Sequence, residues 1–382
     1  MAAEGPEHKR AIPRRFEEVW HRSAEKEAFV FWNAKTLTAD HYATSLKNHF
    51  GDGVTHRLQK EIGFVGKRLL RLPSTEQSSF FDPWFSEENA RHLREVARSI
   101  RGLPREGASA DAPAGERRAP RIVFLHGVMP RSGTNYLQSL LELHPDVAVN
   151  PYGIRELPFL NTIEEARLYE GRFYRYYHRN RDCIRDLETF CYMVSGFLRR
   201  VEADFPADKT VVIKSPHTRM MRYFPYLFPA EQCLIVLREG KRAVQSTIDT
   251  WPLRFLGRTF ADVCREWSFG TAAALEAQSR MSPDACRLIR FEDAVANPDG
   301  AARDLLHFLK LDEARYPFER ISELPILGSS RASRHNGEVS WTPVKKPEGF
   351  DPSKRPIEWP RKRQTVFDAV AGEMQKKAGY AA

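Results

Sequence analysis

Long apolar runs are missing from this 382-residue chain. No stretch approaches the roughly 20 consecutive apolar residues that a bilayer-spanning helix needs, so a transmembrane segment is not expected. The amino terminus, MAAEGPEHKRAIPRR, is charged and has no apolar core, which argues against a secretory signal. Its Arg14–Arg15 pair is followed by Phe16, Glu17 and Glu18 rather than by a hydrophobic segment, so a twin-arginine export signal is not expected either. Cysteine is sparse: five residues, at 183, 191, 233, 264 and 286, with no CxxC pair. Neither a zinc site nor a disulfide framework is suggested, and a reducing compartment is the simpler home. Nucleic-acid-binding motifs are absent. The net charge of +9 is a modest basic excess that suits a polyanionic small ligand, though it would equally suit nucleic acid or anionic lipid.

What is present is enough apolar material, 42% of residues, to bury a full α/β core with room for an appendage. LPREGASADAPAGERRAP (103–120) is rich in Pro, Gly, Ala and charge and has no apolar periodicity; residues 103–119 are read as a linker. Residues 1–102 before it form a helical extension, notably RLQKEIGFVGKRLLRL (57–72), where Leu58, Ile62, Val65, Leu69 and Leu72 recur at helical intervals among basic residues. That helix either packs on the main domain with a solvated basic face or contacts a membrane surface. From 120 onward strands and helices alternate: strands at 121–126, 210–214, 233–237 and 286–291, helices at 134–143, 165–178, 187–201, 241–249, 260–279 and 301–309. Such alternation predicts an α/β fold, a parallel sheet covered by helices on both faces.

The most informative stretch is PRSGTNYLQSLL (130–141), which closes the apolar run IVFLH (122–126) with a small-residue turn and opens a helix. Gly127, Ser132 and Gly133 permit close approach, and the N–H groups at the helix start point at a phosphate or sulfate. Thr134 and Asn135 add side-chain hydrogen bonds there. A nucleoside-triphosphate loop is excluded by register: Ser132 stands where that loop needs its second Gly and Gly133 where it needs Lys. A magnesium partner is also lacking, since LIRFED (288–293) is interrupted by Arg290, and metal-dependent phosphoryl transfer loses its support.

Pro130, Arg131, Ser132, Gly133 and Thr134 resemble the phosphosulfate-binding loop of the sulfotransferases that use 3′-phosphoadenosine 5′-phosphosulfate, PAPS. A second segment, CLIVLREGKRAVQSTIDTW (233–251), is similar to that family's other nucleotide motif, with Arg238 at a strand exit and Ser246 eight residues on. Arg at the carboxyl end of a strand and Ser about two turns into the next helix lie on one side, so both converge on the 3′-phosphate. VVIKSPHTRMM (211–221) and GSSRASRHNGEVSWTPVKK (328–346) look like the family's pre-motif strand and its late loop over the nucleotide; Ser329, Ser330, Arg331 and Trp341 are cofactor contacts in the latter. The resemblance covers roughly residues 120–380. It implies a P-loop-like sulfotransferase fold and a PAPS-dependent enzyme that needs no metal. The expected location is cytoplasmic and the acceptor an unidentified hydroxyl, on a glycan, a glycolipid or a small metabolite.

In-line sulfuryl transfer depends on positioning and charge stabilisation. Arg131 is assigned to the leaving phosphate, and Lys214 is a candidate proton donor because Arg is a poor one. Glu156 in NPYGIRELPFL (150–160) is the leading general base, following the resemblance to carboxylate-using branches; His217 is the second candidate. Two other classes remain to be separated: an ATP-dependent kinase on a related fold, and a non-catalytic nucleotide-binding module.

Overall fold

The computed structural model describes residues 85–103, 119–176, 179–251, 253, 258–327, 343–347, 351 and 356–381. The helix expected at 57–72, nearly all of the linker, and Ser329, Ser330, Arg331 and Trp341 lie outside the described residues.

Five strands make one sheet: β1 (Arg121–Gly127), β2 (Val147–Val149), β3 (Thr210–Ser215), β4 (Gln232–Leu237) and β5 (Cys286–Arg290). Every neighbouring pair is parallel, in the order β2-β3-β1-β4-β5, as the alternation predicts. The central strands are apolar on both faces because helices cover both, and the period of two divides their side chains cleanly. Ile122, Phe124, Val211, Ile213, Cys233 and Ile235 enter one buried cluster, while Val123, Leu125, Val212, Leu234 and Val236 enter the other.

The second face is closed by α2 (Thr134–Glu142) and by α7 (Phe291–Ala296) and α8 (Pro298–Phe308). α8 is started by Asn297, whose Oδ1 accepts from the Gly300 N–H at 3.0 Å, with Pro298 at its first position. The first face is covered by α4 (Glu188–Asp204), α5 (Gly240–Thr250) and α6 (Phe260–Arg280). Thr259 and Asp262 form a reciprocal capping box at the start of α6. α3 (Ile163–Tyr176) precedes α4.

Two more helices pack on that face. α1 (Glu87–Arg101) lies within the stretch grouped with the extension, yet Leu93 and Ala97 are fully buried in the same cluster as the strands. Arg101 also ties α1 inward through ion pairs to Glu202 and Glu231. α9 (Arg361–Lys377) follows the last predicted helix by some fifty residues and inserts Phe367 and Ala371.

β1 lies at the centre with β3 on one side and β4 on the other, so the chain leaves it toward one edge and later returns to the opposite side. In α/β folds such a reversal opens a crevice at the carboxyl ends of the strands. Residues 128–133, 214–217, 238 and 291 all lie at that end.

Candidate active site

Beyond Gly127 the chain turns through 128–133 with two residues in the left-handed region, Arg131 (φ 76°) and Gly133 (φ 105°). At Gly133 the conformation and the space both require glycine, since an added Cβ would lie 2.1 Å from Cδ2 of Phe291. The turn closes through Ser132, whose Oγ donates to the Met129 carbonyl at 2.8 Å and accepts from the Met129 N–H at 3.2 Å. The Ser132 side chain is fully buried and its hydroxyl is used in shaping the loop. Gly133 then caps α2 without a side-chain acceptor, and no acidic residue stands in the first turn, so the positive end of the helix is left for an anion.

The second motif meets the first directly. Arg238 leaves β4, donates from Nη1 to the Arg131 carbonyl at 2.9 Å, and lies 4.8 Å over the Phe291 ring. Ser246 on α5 accepts from Arg131 Nε at 3.3 Å. Burial and the neighbouring Arg238 guanidinium push Arg131 down to about 10, with Asp249 and Glu156 acting against them; it stays cationic at neutral pH. Two guanidinium groups thus converge on one polar corner, an arrangement that a bound polyanion relieves.

These groups border a cavity of about 810 Å³, whose wall includes Arg131, Gly133, Thr134, Asn135, Glu156, His217, Arg238 and Ser246. Lys214 is not in that wall. Its side chain is 2% exposed, donates to Asn135 Oδ1, and lies 3.7 Å from Glu156 Oε1. Burial lowers it to about 8 while Glu156 holds it up. The proton-donor role expected of it falls on a side chain held between Asn135 and Glu156, both in the cavity wall. Glu156, by contrast, is 38% exposed. It is held next to β3 because Leu157 N–H donates to the Lys214 carbonyl at 2.8 Å.

His217 also lines the cavity, with Nδ1 3.8 Å from Glu266 Oε1. Its carbonyl accepts from Nδ1 of His126 at 2.8 Å, which fixes the proton of the buried His126 ring on Nδ1.

Several contributors had no signal in the sequence. Phe291 supports Arg238 and seals Gly133, although it follows β5 as Arg238 follows β4, and that position was the available clue. Arg290, which spoils the metal motif, stacks 4.3 Å from Tyr380 and donates to the Ala378 carbonyl, so it secures the chain end. Gly270 of α6 presses so closely that an added Cβ would stand 1.8 Å from the Val128 carbonyl oxygen.

A sulfotransferase family model matches residues 123–315, about half of the chain, and spans both motifs and Glu156. The chain belongs to the sulfotransferase family. It is similar to protein-tyrosine sulfotransferase 1 of Danio rerio, 22% identical over 255 residues, which cover 63% of this chain and 68% of that protein. It is also similar to the protein-tyrosine sulfotransferase of Drosophila melanogaster, 25% identical over 194 residues, 49% of this chain and 38% of that one. Among solved structures it resembles a sulfotransferase from Alicyclobacillus acidocaldarius at 15% identity and a TM-score of 0.39, with 69% of this chain and 97% of the other covered. As a member of this family the chain is a sulfotransferase, an enzyme of sulfuryl transfer, which sets the kinase and binding-module alternatives aside. Among the described residues there is no cluster of three or more His, Cys, Asp or Glu able to hold a metal, and no helix long and apolar enough to cross a membrane.

Proposed function

We propose that this sulfotransferase acts on a hydroxyl acceptor with Glu156 as general base. The observation that carries the reading is the junction of the two motifs, Arg131 bonded to Ser246 and Arg238 bonded to Arg131. The residues suit a 3′-phosphorylated nucleotide: a tight turn through Arg131 and Gly133, an uncapped helix start, and two convergent guanidinium groups. When bound, PAPS supplies the sulfuryl group and an anionic leaving group.

The chain's own residues do the rest. Arg238 and Ser246 hold the 3′-phosphate, and the loop amides with Gly133, Thr134 and Asn135 hold the phosphosulfate end. Arg131 neutralises charge growing on the leaving side, an effect that counts for more in a partly dry site. Glu156, exposed at the cavity wall, takes the proton of the acceptor hydroxyl, and Lys214 at 3.7 Å holds it in place. His217 faces the same space and serves to orient the acceptor. The acceptor is a glycan, glycolipid or small metabolite, and the enzyme works in the cytoplasm, where its unpaired cysteines stay reduced.

The test is calorimetric titration with 3′-phosphoadenosine 5′-phosphate, PAP, beside ADP and ATP–magnesium, followed by an acceptor screen with labelled PAPS over glycans, lipids, phenols and tyrosyl peptides. Selective PAP binding and label transfer to a hydroxyl are expected. Preference for ATP–magnesium, or transfer that survives Glu156→Gln unchanged, overturns the reading.

A further inference from the structure

Glu292 belongs to LIRFED (288–293), the segment that Arg290 spoils as a magnesium motif, and in the fold its carboxylate meets the exit of β4. Oε1 accepts from the Glu239 N–H at 3.1 Å, and Oε2 accepts from the Tyr380 hydroxyl at 2.9 Å. That hydroxyl also stands 3.4 Å from the Leu237 carbonyl oxygen, and its one proton goes to the nearer, charged partner. Tyr380 follows α9 and is held by the Arg290 guanidinium, 4.3 Å from its ring. Burial and the Glu292 charge push its hydroxyl above the ordinary range, so it remains a donor.

Leu237, Arg238 and Glu239 are consecutive, and the network closes on the middle one. The peptide group between Arg238 and Glu239 is fixed at both ends: its carbonyl accepts from Trp267 Nε1 at 3.0 Å, and its N–H is the one that Glu292 takes. The preceding peptide belongs to β4, paired with β5. Peptide groups are rigid planes, so both planes that meet at the Arg238 Cα are held, and with them the direction in which its side chain leaves. That side chain crosses Phe291, the neighbour of Glu292, and reaches the Arg131 carbonyl. A guanidinium grips phosphate through a planar fork, so its worth depends on its aim.

We infer that Glu292 is a positioning residue for Arg238 and that Tyr380 anchors it, so that a residue beyond α9 helps to set the preference for a 3′-phosphorylated nucleotide. This rests on the PAPS reading above, in which Arg238 grips the 3′-phosphate, and deepens it by naming what aims that grip. Neither Glu292 nor Tyr380 stands in the cavity wall; both act through Arg238.

The experiment is calorimetry with PAP and with ADP on the full chain, in wild type, Glu292→Ala, Glu292→Gln, Tyr380→Phe, Arg238→Ala and the double variant Glu292→Ala/Arg238→Ala. Glu292→Ala is expected to weaken PAP about tenfold, with ADP changed less than about twofold. Glu292→Gln should bring PAP back to within about threefold of wild type. Its amide oxygen accepts from Glu239 and its NH2 donates to Tyr380, whose own proton then goes to Leu237. Tyr380→Phe should weaken PAP about threefold and leave ADP alone. On top of Arg238→Ala, Glu292→Ala should cost less than about twofold, because the side chain it aims is gone.

Equal loss of PAP and ADP in Glu292→Ala, no loss of PAP, no rescue by glutamine, or the full tenfold cost without the Arg238 side chain overturns the inference and leaves the donor reading standing. Should Glu292→Ala fail to fold, Tyr380→Phe decides: a PAP-selective loss supports the inference, and an unselective loss or none overturns it. A folded wild type with no preference for PAP over ADP overturns the donor reading, and this inference with it.

Discussion

Arg238 supports the backbone of Arg131: its Nη1 donates to the Arg131 carbonyl at 2.9 Å, at a residue held at φ 76°. A positive φ at a non-glycine residue costs about 1–3 kcal/mol and persists where its surroundings over-determine it. The second motif is therefore part of what keeps the first in shape.

Arg238→Ala loses both a phosphate partner and this support. PAP affinity should fall about a hundredfold, from a charge-assisted bidentate contact, and the preference for PAP over ADP should collapse. Arg238→Lys restores the charge without the fork and should fall between the two. Parallel titrations with PAP and ADP measure this; a variant that keeps the wild-type preference would remove Arg238 from the 3′-phosphate.

Gly133→Ala should destabilise the fold by about 3 kcal/mol, combining a positive-φ cost with overpacking on Phe291, since the added Cβ starts 2.1 Å from that ring. Urea midpoints provide the measure. Phe291→Ala removes the clash but not the φ cost, so against Phe291→Ala alone the added Gly133→Ala change should cost about half as much as it does in the wild type. Equal stability of Gly133→Ala and wild type would show that the turn is not held as described.

The predicted elements and the observed ones agree where hydrophobic periodicity was strong. The runs IVFLH and CLIVL could be little else than buried strands, and they are β1 and β4. β2 escaped notice because Val147–Val149 is three residues long and half-buried. α9 escaped because its buried residues are Phe367, Ala371 and Gln375, which give a weak apolar stripe. The meeting of Arg131, Arg238 and Ser246 was legible because each lies in the loop or helix that follows a strand. The site was not legible where function depends on what lies behind a side chain. Nothing in VVIKSP says that Lys214 turns inward onto Asn135, and nothing in PRSGT says that Ser132 spends its hydroxyl on Met129.

Glu156→Gln should lower kcat by about 10²- to 10⁴-fold, the usual worth of a general base, and leave PAP affinity within about twofold because the nucleotide contacts lie on other elements. Glutamine keeps an oxygen near Lys214 and loses only the proton acceptor. His217→Gln is the comparison, made with whichever acceptor the screen identifies. A larger kcat loss in His217→Gln than in Glu156→Gln would transfer the base to the imidazole, whose partner Glu266 at 3.8 Å would then gain a catalytic meaning.

His126 makes the acid stability of the fold depend on one ring. It is 2% exposed, stacked on Phe124 with centroids 5.9 Å apart and edge-on to Phe224, and its Nε2 has no hydrogen-bond partner. Protonation would bury a cation with an unmet donor, and desolvation accordingly lowers the ring to about 4. The unfolded chain takes up this proton near the ordinary 6.5. Between those two values the unfolded state holds more protons than the folded one, so stability falls as pH drops from about 6.5 to about 4 and then levels. The loss across that window is about 3 kcal/mol for this one group. His126→Phe keeps the aromatic packing, gives up the bond to the His217 carbonyl at a cost of about 1 kcal/mol, and no longer titrates. Guanidinium unfolding at pH 7, 5.5 and 4.5 should therefore show wild type ahead at neutral pH and the variant ahead, or level, at the acid end. Because all other groups are common to both chains, their difference isolates His126. Parallel pH curves for the two proteins would mean that the folded state admits the proton after all, and that the ring's grip on His217 is not the dry contact it is here.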